Sequence, residues 1–158
     1  MELKNNSAIY NHLLQKVVSK EFTVGIIGLG YVGLPLALGF CEKGIRTFGF
    51  DININIINSL RRCESYMEHI CSNELEKYIH NKKLNPETNI ENIKKVDVII
   101  ICVPTPLNKN KEPDLSFIKN SLLSIRNSLK KGQVLILEST TYPGTTEEII
   151  KPFIESNG

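Results

Sequence analysis

The chain has 158 residues, 41% of them hydrophobic and 23% charged, which is enough for one domain with a full core. The formal net charge is only +2. A general nucleic-acid or membrane-surface binder needs a large basic excess, so the composition argues against both classes. Lysines come in pairs at 82–83, 94–95 and 130–131, which we interpret as isolated, solvated helix ends and loops. No apolar run reaches the roughly eighteen residues of a membrane helix, and no secretory pattern opens the sequence, so a cytoplasmic location is expected.

The first predicted element is a helix over residues 7–19, where apolar residues recur at helical spacing and Ser7 can serve as the N-cap. We expect this helix to lean on the domain that follows it. Residues 1–20 are therefore assigned to a helical extension and residues 21–158 to the domain itself.

Strands and helices alternate along the rest of the chain. Strands are expected at 22–28, 46–50, 84–90, 96–103 and 133–139, and helices at 31–43, 53–62, 70–82, 115–129 and 146–155. Asp114 is the expected N-cap of the fourth of these helices, and Thr145 and Glu148 have capping-box spacing at the last. This alternation predicts an α/β fold, a Rossmann-type doubly wound parallel sheet. A complete sheet of this type has six strands, so we expect the sequence to be truncated before the last strand.

The segment VGIIGLGYVGLPLALGF carries three glycines where the first strand meets the next helix. Gly28, Gly30 and Gly33 form the pattern G-x-G-x-x-G, and Asp51 ends the second strand about twenty residues later. In that context Gly28 permits a tight turn, Gly30 leaves room for a diphosphate, and Gly33 lets helix and strand pack closely. The alternative is a turn without a ligand, which the position of Asp51 disfavours.

Asp51 also favours NAD over NADP. Its carboxylate can accept hydrogen bonds from an adenosine ribose, and it repels a 2′-phosphate. No Arg or Lys occurs at residues 52–60 to bind that phosphate, and Arg61 and Arg62 come at the far end of a helix.

Two loops follow the carboxyl ends of later strands, where open sheets of this type bind their ligands. CVPTPL, at 102–107, is stiffened by two prolines and predicts either a rigid wall against the cofactor or simply a turn out of the sheet. ESTTYPGTTEE, at 138–148, supplies hydroxyls and a carboxylate, although acids also suit the first turn of a helix.

The cysteines point to no additional site. Cys41, Cys63, Cys71 and Cys102 show neither a C-x-x-C pair nor zinc-ligand spacing. We therefore expect free thiols and no metal site, although His69 lies between two of these cysteines.

Three segments together resemble one protein family. GLGYVGLPLA, CVPTPLNKNKEPDLSF and ESTTYPGTTEE, in this order and spacing, are similar to the N-terminal NAD-binding domain of the UDP-glucose/GDP-mannose dehydrogenase family. RRCESYMEHI, at 61–70, resembles the branch of UDP-N-acetyl-D-glucosamine 6-dehydrogenases, which serve surface-polysaccharide synthesis. The resemblance covers about residues 20–158.

The resemblance implies a two-step oxidation of the sugar's C6 alcohol to an aldehyde and then to a carboxylate, with two NAD reduced and a cysteine that captures the aldehyde. It implies cofactor binding by Gly28, Leu29, Gly30, Tyr31, Val32, Gly33, Asp51, Val103, Pro104, Thr105, Ser139 and Thr140. Thr140 also matches a threonine that helps to hold a water or substrate oxygen near the reaction centre. The implied partners are NAD, a UDP-sugar substrate and, at full length, a second copy in a homodimer.

The sequence departs from the family pattern in two respects. Ile56 stands where family members often have Lys or Arg, so we expect weaker contacts on the adenosine side of NAD. The nucleophilic cysteine and the substrate-binding domain match nothing in this chain, and its own cysteines are expected to be inert. We therefore expect NAD binding without sugar oxidation. A free-standing, non-catalytic NAD-binding module stays an alternative, as does a methyl-transfer domain, which the PTP and PGTT segments disfavour.

Overall fold

The computed structural model describes residues 2–109 and 111–156, with side chains from Ser7 onward. Its strands are β1 (Thr23–Ile27), β2 (Arg46–Phe50), β3 (Leu84–Glu87), β4 (Val98–Ile101) and β5 (Val134–Leu137). They form one parallel sheet in the order β3-β2-β1-β4-β5. The predicted α/β, Rossmann-type sheet is confirmed.

Helices cover both faces of this sheet. They are α1 (Glu2–Ser19), α2 (Gly33–Glu42), α3 (Ile54–Arg61), α4 (Ser72–His80), α5 (Ser116–Ile125) and α6 (Lys151–Glu155). Short 3₁₀ turns cover Ile90–Lys95 and Arg126–Ser128, and a π-helical turn, Thr146–Ile150, leads into α6. Over residues 2–109 and 111–156, none of the helices combines the length and the apolar character that crossing a membrane requires.

The sheet separates two hydrophobic clusters, because successive side chains of a strand point to opposite faces. Val98 and Ile100 pack with residues of α2, α3 and α4 on one face. Ile99 and Ile101 pack with residues of α5 and α6 on the other. All four side chains are buried, as the continuous apolar run at 96–103 predicts for a central parallel strand.

The strands end in register along one edge of the sheet. Ile27 of β1 pairs with Phe50 of β2 and with Ile101 of β4, and Ile101 pairs with Leu137 of β5. The loops that follow these four strands therefore lie side by side.

Two helix starts differ from the predictions. Ser7 lies inside α1 rather than at its N-cap, since the helix already begins at Glu2. Helix α2 begins at Gly33 rather than at Tyr31, because Pro35 has no N–H to donate to the carbonyl of Tyr31.

Two predicted helix caps differ from the structure. Thr145 forms no capping box with Glu148: its backbone is already helical, and its hydroxyl donates to the carbonyl of Tyr142 at 2.8 Å. Leu115, not Asp114, is the N-cap of α5, because its carbonyl accepts the N–H of Lys119 at 2.9 Å. The carboxylate of Asp114, one residue earlier, accepts the N–H of Ser116 at 2.9 Å.

The third strand is shorter than predicted and ends at Glu87. The side chain of Asn89 accepts the N–H of Glu91 at 3.0 Å and thereby starts the 3₁₀ turn Ile90–Lys95. Asx side chains commonly give the backbone such an alternative to a strand ladder.

One ion pair holds α1 at the amino edge of the sheet. Lys16 Nζ lies 2.6 Å from Oδ1 of Asp97, whose Oδ2 accepts both the N–H and the hydroxyl of Thr23 at 2.9 Å. Burial alone would raise the pKa of Asp97, but the bonds from Lys16 and Thr23 outweigh burial and lower it. The predicted contact between this helix and the domain is confirmed.

Two lysine pairs that we interpreted as isolated are neighbours in space. Lys94-Lys95 and Lys130-Lys131 line one cavity of about 510 Å³ beside α1, together with Lys16 and His12. The two pairs lie in an exposed helix end and an exposed loop, as predicted. The fold nevertheless gathers their positive charges in one place.

Candidate functional site

The loops at the carboxyl edge of the sheet surround a cavity of about 850 Å³. The predicted site residues that line it are Gly28, Gly30, Tyr31, Val32, Asp51, Val103, Pro104, Thr105, Ser139 and Thr140. Three segments that are distant in the sequence therefore meet at one site. Leu29 and Gly33, which were also predicted to bind the cofactor, do not line the cavity.

The loop between β1 and α2 is tight at Gly28 and open at Gly30. Gly28 has a φ of +92°, and a Cβ there would lie 2.9 Å from the carbonyl oxygen of Cys102. A Cβ on Gly33 would overlap the carbonyl oxygen of Gly28. At Gly30, by contrast, nothing lies within 4 Å of the Cβ position, so a side chain there would enter the open space of the cavity.

The approach to α2 presents unpaired backbone donors. Among the described residues, none accepts a hydrogen bond from the N–H groups of Gly30, Tyr31 and Val32. Tyr31 and Val32 are exposed, and all three residues line the cavity. Such donors, together with the positive end of the helix dipole, suit the oxygen atoms of a phosphate group.

Asp51 is bonded to the same loop. Its Oδ2 accepts the N–H of Leu29 and its Oδ1 accepts the N–H of Asn53, both at 2.8 Å. An ionised carboxylate offers about four acceptor positions, so about two remain for hydroxyl groups of a ligand. The described residues that line the cavity include the carboxylates of Asp51 and Glu138 but no lysine or arginine, so a 2′-phosphate would meet negative charge.

Leu29 anchors the glycine-rich loop. Its side chain is fully buried, and its N–H is already bonded to Asp51. Its carbonyl accepts a hydrogen bond from the hydroxyl of Tyr66 at 2.6 Å. We did not predict a role for Tyr66, because its segment drew attention only as a family resemblance.

The loops after β4 and β5 are joined by a hydrogen bond. Ser139 Oγ donates to the carbonyl of Val103 at 2.7 Å, so Ser139 fixes the two loops relative to each other. Thr105 and Thr140 also line the cavity, and Thr140 is exposed.

The cysteines are free thiols, as predicted. Cys102 lines the cavity, and burial, aided by the negative charge of Glu138, raises its pKa to about 11. Burial likewise raises the pKa of Cys41 to about 11, although it is opposed by a hydrogen bond with Thr47 and by the charge of Lys83. Both thiols are therefore protonated at neutral pH. Within the described part of the chain, no three His, Cys, Asp or Glu side chains are grouped to hold a metal ion.

One wall of the cavity was missed by sequence reasoning. It comes from α5 through Phe117, Asn120, Ser121 and Ser124. These residues recur at helical spacing beside the buried apolar stripe of the same helix. This second stripe on the helix could have indicated a wall of the cavity. Ile56, which we noted as a departure from the family pattern, also lines the cavity.

Comparison with known proteins agrees with this geometry. A sequence model described as the UDP-glucose/GDP-mannose dehydrogenase family, NAD binding domain, matches residues 22–158. The chain belongs to this family. The match confirms the resemblance and NAD as the cofactor, and it disfavours the methyl-transfer hypothesis.

The relatives of this family member are longer proteins. The UDP-N-acetyl-D-glucosamine 6-dehydrogenase of Pseudomonas aeruginosa is 42% identical over 137 residues, which is 86% of this chain and 31% of that protein. The solved structure of the UDP-N-acetyl-mannosamine dehydrogenase Cap5O of Staphylococcus aureus is similar to this chain, with a TM-score of 0.77 and 36% sequence identity. The similarity covers 85% of this chain and 32% of that one. A GDP-mannose dehydrogenase of Pseudomonas aeruginosa, solved as a ternary complex, gives a TM-score of 0.79 at 27% identity over the same shares. The chain thus spans about a third of the length of these relatives.

Proposed function

We propose that this chain is the coenzyme-binding part of an NAD-dependent nucleotide-sugar 6-dehydrogenase. The complete enzyme would oxidise the C6 alcohol of a UDP-N-acetylhexosamine to the uronic acid, with two NAD, in surface-polysaccharide synthesis. Relatives named as UDP-N-acetyl-D-glucosamine and UDP-N-acetyl-D-mannosamine dehydrogenases support this substrate class. The observation that carries the proposal is one cavity lined both by the free N–H groups of residues 30–32 and by the carboxylate of Asp51.

The glycine-rich loop and Asp51 would bind the two halves of the coenzyme's adenosine diphosphate. The N–H groups of Gly30, Tyr31 and Val32 donate to the diphosphate, and the open position at Gly30 admits it. The free acceptor positions of Asp51 receive the ribose hydroxyls. Ile56 lies on the same side and offers apolar contact where a cation would have bonded.

The loops after β4 and β5 would form the wall beside the nicotinamide. Bound NAD supplies the hydride acceptor for the oxidation. Val103, Pro104 and Thr105 present a stiff surface, and Ser139 holds that surface against the β5 loop. Thr140, which lines the cavity, would hold a water or a substrate oxygen.

The described cysteines do not suit the capture of an aldehyde in this cavity. Cys102 is the cysteine that lines it, and its raised pKa keeps the sulfur protonated and weakly nucleophilic. Cys41, Cys63 and Cys71 are not among the residues that line the cavity. We therefore propose that the 158-residue chain binds NAD but does not oxidise a nucleotide sugar.

Location and assembly are part of the same proposal. We propose a cytoplasmic enzyme that is a homodimer at full length and acts without nucleic acid or membrane. The near-balance of charge supports the last point, since the net charge is only +2.

A binding and turnover experiment tests the proposal. The chain is titrated with NADH and with NADPH, and binding is followed by coenzyme fluorescence. We expect NADH to bind more tightly, and tighter NADPH binding would overturn the role given to Asp51. The chain is then mixed with NAD and UDP-N-acetylglucosamine, and no NADH absorbance should develop. Steady NADH formation would contradict the proposal that the 158-residue chain does not oxidise a nucleotide sugar.

A further inference from the structure

We propose that Tyr66 is a positioning residue for coenzyme binding. Its hydroxyl fixes the peptide that joins Leu29 to Gly30, and this peptide aims the N–H of Gly30 at the coenzyme's diphosphate. The inference rests on the proposed coenzyme role of the cavity.

The direction of the Gly30 N–H follows from the bond that Tyr66 makes. Tyr66 donates its hydroxyl to the carbonyl of Leu29 at 2.6 Å, and Tyr66 is not among the residues that line the cavity. In a planar trans peptide the C=O of one residue and the N–H of the next point in opposite directions. Because the carbonyl of Leu29 is held on the side of Tyr66, the N–H of Gly30 is directed away from it, and Gly30 itself lines the cavity.

A second anchor holds the preceding peptide. Asp51 accepts the N–H of Leu29 at 2.8 Å, so both peptides that flank Leu29 are fixed by side chains from other segments. Glycines stand on both sides of Leu29, and glycine has more backbone freedom than any other residue. The two anchors therefore order in advance a loop that would otherwise lose freedom on binding, and such preorganisation increases affinity.

Tyr66 is itself held firmly enough to serve as an anchor. Its ring packs against a core cluster that contains the buried side chains of Met67 and Ile70. Ser65 Oγ donates to the carbonyl of Met67 at 2.8 Å and accepts its N–H at 3.1 Å, which fixes the turn around Tyr66. Burial, with the charge of Asp51, raises the pKa of Tyr66, so its hydroxyl stays a donor throughout the neutral range.

The test compares Tyr66→Phe with Tyr78→Phe. Tyr78 is a matched control, because it packs in the same core cluster but is not among the cavity residues. Affinities for ADP-ribose and for adenosine are measured by competition with NADH. For Tyr66→Phe we expect roughly three- to tenfold weaker binding of ADP-ribose, the effect of one lost hydrogen bond, and adenosine affinity within about twofold. Tyr78→Phe should change neither affinity.

Two results would overturn the inference. One is unchanged ADP-ribose affinity in a folded Tyr66→Phe variant. The other is an equal loss for ADP-ribose and adenosine, which would mean that Tyr66 only supports the fold. If the unaltered chain binds no NADH at all, the proposed function fails instead, so the two failures are distinguishable.

A measurement on the unaltered chain covers the case in which Tyr66→Phe does not fold. The backbone amide of Gly30 is followed by NMR during titration with ADP-ribose and, separately, with adenosine. We expect its resonance to shift with ADP-ribose and to stay in place with adenosine. If ADP-ribose displaces NADH but leaves the Gly30 resonance in place, the inference is overturned; if ADP-ribose does not displace NADH, the proposed function fails instead.

Discussion

Replacing Asp51 by alanine is the most informative single change in the cavity. The carboxylate accepts hydrogen bonds from the N–H groups of Leu29 and Asn53, which leaves about two acceptor positions for ribose hydroxyls. Hydrogen bonds to a charged group contribute roughly 1.5–3 kcal/mol each, and partial exposure of Asp51 reduces that figure. We therefore expect Asp51→Ala to weaken NADH binding by about 1–3 kcal/mol, or roughly five- to 150-fold.

The comparison of two coenzymes separates the charge effect from a general defect. Loss of the carboxylate removes both the ribose acceptors and the repulsion of a 2′-phosphate, so NADPH should lose less affinity than NADH. Asp114→Ala is the matched control, since that carboxylate accepts the N–H of Ser116 at the start of α5, outside the cavity. The assay is fluorescence titration, with circular dichroism to confirm folding. An unchanged NADH affinity, or an equal loss for both coenzymes, would refute the assigned ribose contact.

Three more changes test the loop and the docking of α1. Gly30→Val should abolish detectable NADH binding with little change in Tm, because its side chain enters open cavity space; retained binding would contradict the diphosphate position. Gly33→Ala should lower Tm by roughly 3–10 °C, since its Cβ would overlap the carbonyl of Gly28; an unchanged melting curve would contradict that packing. Asp97→Asn should remove part of the acid dependence of stability, measured by urea unfolding. The lowered pKa of Asp97 means that its contribution is complete above its unfolded value, near pH 4, and is lost as pH falls through the folded value. A variant with the same acid dependence would contradict the role of the pair with Lys16.

The architecture was predictable because several local signals agreed. The apolar run at 96–103 predicted a central strand, and β4 is buried on both faces. Helix boundaries were harder, because they depend on single hydrogen bonds. Pro35 delays the start of α2, and Thr145 bonds back to Tyr142 rather than forward to Glu148.

Candidate site residues could be predicted from the sequence where short motifs carry them. Contacts that only the folded chain brings together were missed. The glycine spacing and the distance to Asp51 along the chain were enough to predict a diphosphate position and a ribose position. The contact from Tyr66 to Leu29 joins residues 37 apart, and no periodic pattern encodes it. The wall from α5 was missed because the prediction used only the apolar stripe of that helix. The lysine pairs likewise meet only in the folded chain, where a helix end and a loop line one cavity.

A crystal structure of the chain soaked with NAD tests the central claim most directly. We predict a diphosphate against the N–H groups of Gly30, Tyr31 and Val32, with ribose hydroxyls on the carboxylate of Asp51. NAD bound at another place, or a diphosphate that does not contact this backbone, would contradict the account.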